Sequence, residues 1–155
     1  MNPASCGNVV EGTGMNEYLE LNRMWLDDRL GPNSESKAIS YSLKYIRSKF
    51  SKVKWIQSFA DERCKFFGIV YQAANFGYYG EHMSDFWEWN NEVFHNIQMT
   101  IKNGRRRSKK VQELQKNKEN AKQLKLRQFR YIFFIDKRWK KRCLFKERPY
   151  PKYYK

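Results

Sequence analysis

Long apolar runs and paired cysteines are both missing from this sequence. None of the 155 residues lies in a run approaching the roughly 20 apolar residues of a membrane span. The first residues lack the basic and apolar regions of a secretory signal. The three cysteines, Cys6, Cys64 and Cys143, form no CxxC pair. These absences argue against a disulfide framework and predict reduced thiols in a cytoplasmic protein with no membrane partner.

Histidine is equally scarce. His82 and His95 are the only two and stand 13 residues apart, and no further histidine or cysteine completes a ligand set near them. The sequence therefore predicts no metal centre.

Acidic residues are rare in the last third of the chain. Residues 102–155 contain 21 Lys and Arg but 4 Asp and Glu, a net charge of +17, whereas residues 1–101 have a net charge of −2. Such an excess of positive charge in one part of the chain predicts a segment that binds nucleic acid. An anionic membrane is a weaker partner because the segment has no matching apolar face, and a merely solubilising helix is the alternative. The predicted nucleic-acid contacts are Arg105, Arg106, Arg107, Lys109, Lys110, Lys137, Arg138, Lys140 and Lys141.

The hydrophobic pattern alternates between strand and helix periods, which indicates an α/β fold. Strands are predicted at 8–11, 18–26, 53–59, 76–89 and 127–136. A helix is predicted from Asn33 or Ser34 to about Phe50, a short helix around Tyr71–Asn75 and a basic helix over 105–128. The length fits one domain, 1–155, with a near-neutral core (1–101), the basic helical segment (102–128) and a last strand with a basic tail (129–155).

One acid follows directly on a strand that is expected to be buried. "KWIQSFAD" (54–61) ends on Asp61, and Tyr71 follows in "GIVYQAANF". Ligands of α/β sheets bind at the carboxyl ends of strands and at helix N-termini. We therefore expect Asp61 and Arg23 to face one cleft from neighbouring strands, with Tyr71 closing it. A structural cap after the strand is the alternative for Asp61.

Several blocks resemble, in consistent order, the Mom family of Mu-like phages. They cover roughly 18–80 and 127–152 and read "ELNRMWL", "NSESKAISYSLKYIR", "KWIQSFAD", "GIVYQAANF" and "RYIFFIDKRWKK". Members of that family are DNA adenine modification proteins related to the GNAT acyltransferase fold. They convert adenine to an N6-carbamoylmethyl form that protects phage DNA from restriction nucleases. The resemblance implies a GNAT-like mixed sheet flanked by helices. It also implies a transferase that acts on double-stranded DNA in the host cytoplasm, with a small-molecule group donor.

Matching the family's blocks residue by residue points to four catalytic candidates. Arg23 would hold a phosphate or carboxylate, and Ser36 would hydrogen-bond the donor. Asp61 would accept a proton from the adenine amine, and Tyr71 would protonate a leaving group or stack on a flipped base. The structural alternatives are an ion pair for Arg23, capping for Ser36 and Asp61, and core packing for Tyr71.

Two departures from the family pattern shape the expected fold and cofactor. The strand at 18–26 corresponds to the fourth GNAT strand, so the N-terminal strands are expected to be partly missing. The usual coenzyme A turn, Q/R-x-x-G-x-G/A, is reduced to "RLGPNSES". Arg29, Ser34 and Ser36 remain there to hold the anionic group of an acetyl-CoA-like or other activated donor. Two other functions stay open: a non-catalytic basic DNA-binding protein, and a GNAT N-acyltransferase for another amine.

Overall fold

The chain folds as a mixed α/β structure. A computed structural model describes residues 8–22, 24–64, 67–100 and 108–152. The elements, in chain order, are β1 (Tyr18–Leu21), α1 (Ser34–Lys49), β2 (Trp55–Asp61), α2 (Ile69–Ala73), β3 (Gly77–Trp89), β4 (Glu92–His95), α3 (Asn96–Thr100), α4 (Lys109–Lys116) and β5 (Lys122–Phe134). Short 3₁₀ helices lie at Glu62–Cys64, Lys118–Asn120 and Lys137–Arg142.

The strands form one five-stranded sheet in the order β1-β2-β5-β3-β4. β1 runs parallel to β2, with Tyr18 opposite Trp55, and α1 makes the connection between them. β3 and β4 are antiparallel, with Phe86 opposite His95. The sheet is therefore mixed, as the resemblance implied.

Residue contacts divide the chain into two compact units. The first comprises Met1–Glu81 and Phe129–Lys155, and the second comprises His82–Gln128.

In the first unit, β2 and β5 are covered on both faces. Consecutive strand residues point to opposite faces. Accordingly Ile56 and Tyr131 join one cluster with Ile39 and Leu43 of α1, while their neighbours Trp55 and Ile132 join a second cluster. Burial on both faces explains why the sequence of β2 is apolar at consecutive positions.

The second cluster is closed by two segments that are distant in sequence. Val9 and Val10 are buried in it, and Trp139, Cys143 and Phe145 pack against it. The strand predicted at 8–11 is reduced to one isolated bridge, which pairs Val10 with Cys143. This pairing covers the face of the sheet opposite to α1.

Tyr131 fixes the turn that leads into α2. Its hydroxyl donates to the carbonyl of Phe67 and accepts a hydrogen bond of 3.0 Å from Gln72 Nε2. Gly68, at φ +86°, passes so close that a Cβ there would lie 2.4 Å from the Tyr131 ring. The turn thus requires glycine for both its conformation and its lack of a side chain.

The second unit contains a hairpin that the sequence reading missed. Asn90 and Asn91 join β3 to β4 with φ of 49° and 59°, the positive values of a type I′ turn. Trp87 Nε1 donates to Asn96 Oδ1 at 3.1 Å, and Lys118 Nζ lies 4.6 Å from the Trp87 ring centroid. These contacts join the hairpin to the segments that follow it.

The predicted basic helix over 105–128 is wrong in extent. Its helical part runs from Lys109 to Lys116, capped by the Ser108 hydroxyl, and β5 already begins at Lys122. Leu124 and Leu126 alternate with charged residues at the strand period, which the helical reading overlooked. Residues 101–107 lie outside the described chain.

The other predicted elements differ less from those in the structure. The strand predicted at 18–26 ends at Leu21, and the short helix expected at Tyr71–Asn75 spans Ile69–Ala73. The predicted helix from residue 33 or 34 to about 50 is confirmed as α1.

Replacing Gly68 with alanine tests the turn that leads into α2. We expect Gly68→Ala to lower the free energy of unfolding by about 2 kcal/mol, because the new Cβ meets the Tyr131 ring in a left-handed conformation. Urea unfolding followed by tryptophan fluorescence measures the change. Gly31→Ala is the matched control, since nothing lies within 4 Å of a Cβ there. Equal effects of the two substitutions would contradict this account.

Candidate functional site

Asp61 lies at the end of β2, where the sequence placed it. Its carboxylate accepts a hydrogen bond from the backbone N–H of Arg63 at 3.0 Å. The Arg63 side chain donates to both carboxylate oxygens, through Nε at 3.0 Å and through Nη2 at 2.6 Å. The Asp61 side chain is 18% exposed and that of Arg63 41%. The carboxylate therefore caps the following 3₁₀ turn.

The same arrangement occurs at two other aspartates, each two residues before an arginine. Arg29 bonds Asp27 through its backbone N–H at 2.9 Å and through Nη2 at 2.5 Å. Arg138 bonds Asp136 in the same two ways, at 3.1 Å and 2.7 Å. The "DDR", "DER" and "DKR" triplets of the sequence were the signal for this repeated Asp-x-Arg turn. Arg29, expected at the donor, and Arg138, expected on DNA, are thus already ion-paired.

Tyr71 belongs to the first core cluster. Its ring centroid lies 5.5 Å from that of Tyr131 and 5.7 Å from that of Phe76. Ala60 is a member of the same cluster, so strand alternation directs the next residue, Asp61, to the other face of β2. The structure places Asp61 and Tyr71 on opposite faces of this strand rather than around one cleft.

The start of α1 holds the two serine candidates. Asn33 is the N-cap residue, at φ 65°, and its side chain makes no capping bond. Ser34 Oγ donates to the Gly31 carbonyl at 2.5 Å, and Ser36 Oγ donates to the Asn33 carbonyl at 3.0 Å. A shallow, open depression begins at Ser36 and continues along α1, lined by Ser36, Lys37, Ser40, Tyr41 and Lys44. Its lysines suit an anionic ligand.

Six of the predicted DNA contacts lie in two basic segments. Lys109 and Lys110 begin α4, where Lys110 pairs with Glu92. Four more lie in the 3₁₀ helix Lys137–Arg142, where Lys140 pairs with Glu147 at 2.5 Å. Among the described residues, none forms an ion pair with Lys137 or Lys141. Arg23, Arg105, Arg106 and Arg107 lie outside the described residues.

Arg130 was missed as a candidate. It lies on β5 with Nε buried and without a hydrogen-bond acceptor. Its Cζ stands 4.0 Å from the Phe145 ring centroid and 5.7 Å from that of Phe59. Burial lowers the pKa of this guanidinium. The signal was an arginine inside the otherwise apolar run "FRYIFFI", where a charge needs a reason.

One of the two histidines, His95, has a local role. His95 Nδ1 accepts the backbone N–H of Ile97 at 3.0 Å, and its ring packs edge-on at 4.8 Å against Phe86. Across the described ranges, no three His, Cys, Asp or Glu residues converge as metal ligands would. In the same ranges no helix has the length and apolar character to cross a membrane.

These features define a mixed α/β protein whose C-terminal third is strongly basic. The sequence model of the Mom protein family matches residues 1–152, and the chain belongs to that family, as the sequence blocks predicted. It is 51% identical over 156 aligned positions to the methylcarbamoylase Mom of Escherichia phage Mu. The alignment covers 98% of this chain but 64% of the phage protein, so the chain spans just under two thirds of that relative's length.

The Asp136–Arg138 pair predicts a pH-dependent stability. Hydrogen bonding to Arg138 lowers the pKa of the Asp136 carboxyl from 3.8 to about 2. A lowered pKa in the folded state stabilises the fold above the unfolded pKa, and this stabilisation is lost as the pH falls through the folded value. Asp136→Asn should therefore lower Tm at pH 7, and the difference from the wild type should shrink between pH 4 and pH 2 (about the two pKa values).

Thermal melts across this pH range measure the effect. Asp28→Asn is the matched control, an exposed aspartate from the loop after β1, and it should leave Tm unchanged throughout. A difference for Asp136→Asn that stays constant down to pH 2 would rule out the ion pair as its cause.

Proposed function

We propose that this chain is a phage DNA modification enzyme that adds a carbamoylmethyl-type group to the N6 amine of adenine and so protects DNA from restriction. The observation that carries the proposal is the 51% identity, across 98% of the chain, to a protein named methylcarbamoylase. The adenine amine and the protective role come from the family resemblance. The setting would be the host cytoplasm.

Double-stranded DNA is the proposed substrate, held by the basic residues after position 101. An adenine amine lies inside the base stack, so the enzyme must extrude the base at a cost of a few kcal/mol. Contacts to the phosphate backbone can supply that energy. Lys109 at the start of α4, and Lys137 and Lys141 in the 3₁₀ helix, make no ion pair with a described residue and so are available to phosphates.

For chemistry we propose Asp61 as the base, with Ser36 and Arg23 as further catalytic residues. Tyr71, on the opposite face of β2, is proposed to act through core packing. Both oxygens of the Asp61 carboxylate already accept hydrogen bonds from Arg63, which occupies the lone pairs that a base would use. Arg63 must therefore turn away before Asp61 accepts a proton. Its side chain is 41% exposed, which leaves it room to do so.

The donor is proposed to bind at the start of α1. Ser34, Ser36 and Arg29 would hold the anionic part of an acetyl-CoA-like or other activated molecule, as in the GNAT-like fold that we propose for the sheet. The depression beside Ser36, with Lys37 and Lys44, supports this placement.

A non-catalytic DNA-binding protein is the second candidate. The observation that favours it is the bonding of Asp61, which matches that of Asp27 and Asp136 at two other turns. If Asp61 is only a cap, the basic segment would remain the working part.

Asp61→Asn separates the two candidates. It removes the charge but keeps the size and much of the hydrogen bonding. If Asp61 is the base, modification should fall about 10²–10⁴-fold while DNA affinity is unchanged. Mass analysis of nucleosides from plasmid co-expressed with the protein measures modification.

Asp27→Asn is the matched control, because it disrupts the same kind of turn away from β2. Normal modification by Asp61→Asn, with a normal melt, would exclude the catalytic role. Plasmid that carries no modified adenosine even with the wild type, while the protein still binds DNA, would favour the second candidate.

The salt dependence of DNA binding tests the basic segment. Each phosphate contact contributes about 0.9 to the slope of log K against log salt. If Lys137 and Lys141 both contact phosphates, Lys137→Gln/Lys141→Gln should flatten the slope by about 2. Lys49→Gln/Lys52→Gln removes the same charge from the near-neutral part and should leave the slope unchanged. Equal slopes for both double variants would refute the assignment.

A further inference from the structure

Arg130 has an environment unlike that of the arginines that form ion pairs in the described part of the chain. Arg29, Arg63 and Arg138 each bond an aspartate two residues earlier. Arg130 instead lies between the rings of Phe145 and Phe59, at 4.0 Å and 5.7 Å. Stacking on aromatic rings stabilises the cation but leaves its N–H groups without acceptors.

No acid among the described residues neutralises Arg130. Asp61, on the same face of β2 as Phe59, gives both its oxygens to Arg63. Glu147 is paired with Lys140 at 2.5 Å. A buried donor of a charged group that lacks an acceptor destabilises the fold. Arg130 Nε is such a donor. A structural role alone does not explain an arginine at this position, because an apolar side chain would fill the space between the two rings without leaving a donor unpaired.

We propose that Arg130 is the anchor of a phosphate-binding site on the sheet face that carries Asp61. A guanidinium held between two rings is pre-oriented, so little side-chain freedom is lost when an oxyanion binds. Its planar fork matches two oxygens of a phosphate.

The surroundings favour a phosphate over a neutral ligand. Arg130, Glu147 and Lys140 all act electrostatically on the Cys143 thiol. Glu147 and Lys140 form an ion pair with each other, so Arg130 is the charge in excess. Burial raises the pKa of this thiol, which keeps it protonated and prevents a thiolate from neutralising Arg130 near neutral pH. Arg130 is therefore the positive charge that remains for an anion in this region.

Two sources share this chemistry: a phosphodiester of DNA, or a phosphate on a group donor that binds on this face of the sheet instead of at the start of α1. Either would place the reacting molecule on the face of Asp61, and that consequence rests on the proposed function. The binding of phosphate itself does not.

Thermal stabilisation by phosphate tests the site. Wild-type protein and Arg130→Met are melted in inorganic phosphate and in sodium chloride at equal ionic strength, and then with a 12-base-pair duplex. Methionine fills the space between the two rings without a charge, so Arg130→Met should fold. Its apparent affinity for phosphate or duplex should be about 10–100-fold weaker than that of the wild type. Arg47→Met, at an exposed position of α1, is the control for loss of charge.

Stabilisation by the duplex that depends on Arg130 identifies DNA as the source, and stabilisation by inorganic phosphate alone identifies a small-molecule donor. Equal stabilisation of wild type and Arg130→Met by both probes would overturn the proposal, as would no saturable effect of either. If Arg130→Met does not fold, the side-chain Nε–Hε signals of the ¹⁵N-labelled wild type decide, with the signal of Arg130 assigned through Arg130→Lys. A saturable shift of that signal supports the site and an unmoved signal refutes it. These readouts do not require DNA modification, so failure of the proposed function would be seen separately in the nucleoside masses.

Discussion

The buried hydroxyl of Tyr131 is the interaction on which the first core cluster depends. A polar group that is buried without a hydrogen-bond partner destabilises the fold strongly, because the protein interior has a low dielectric constant. Tyr131 meets this constraint by donating to Phe67 and accepting from Gln72, which fixes the chain between β2 and α2. Tyr71, on that helix, packs its ring on Tyr131 as a result. The position of one catalytic candidate thus follows from the hydrogen bonds of a core residue.

Positive charge in this protein has three different environments. Arginines of the Asp-x-Arg turns are neutralised locally, so they contribute little to the field beyond the Debye length. Lysines such as Lys137 and Lys141 are solvated and lack an ion pair among the described residues. Arg130 is enclosed by Phe145 and Phe59. The formal net charge of +15 already subtracts the acids of these pairs, so the excess is carried by the other cations, Lys137, Lys141 and Arg130 among them.

Elements whose signal is local were predictable from the sequence. The apolar period of α1 and the buried run of β2 gave their positions within two residues, and the blocks around Asp61 and Tyr71 gave the family. The start of β5 was missed because its Leu124 and Leu126 alternate among lysines that equally suit a helix. The face of each side chain was not predictable, since it depends on which residues pack opposite. Arg63, the partner of Asp61, was readable from the triplet "DER", whereas the two rings around Arg130 come from β2 and the C-terminal segment.

The bridge between Val10 and Cys143 has a consequence for the order of folding. During synthesis Val9 and Val10 leave the ribosome long before Cys143 and Phe145 exist. These two valines are buried in the finished fold but lack Cys143 and Phe145 as partners until then. Contacts between such distant positions form late, because the chain loses the entropy of closing a long loop before these contacts can stabilise it. The two faces of the sheet therefore close late and in order: the face toward α1 once Phe129 and Tyr131 are made, and the opposite face once Cys143 and Phe145 follow.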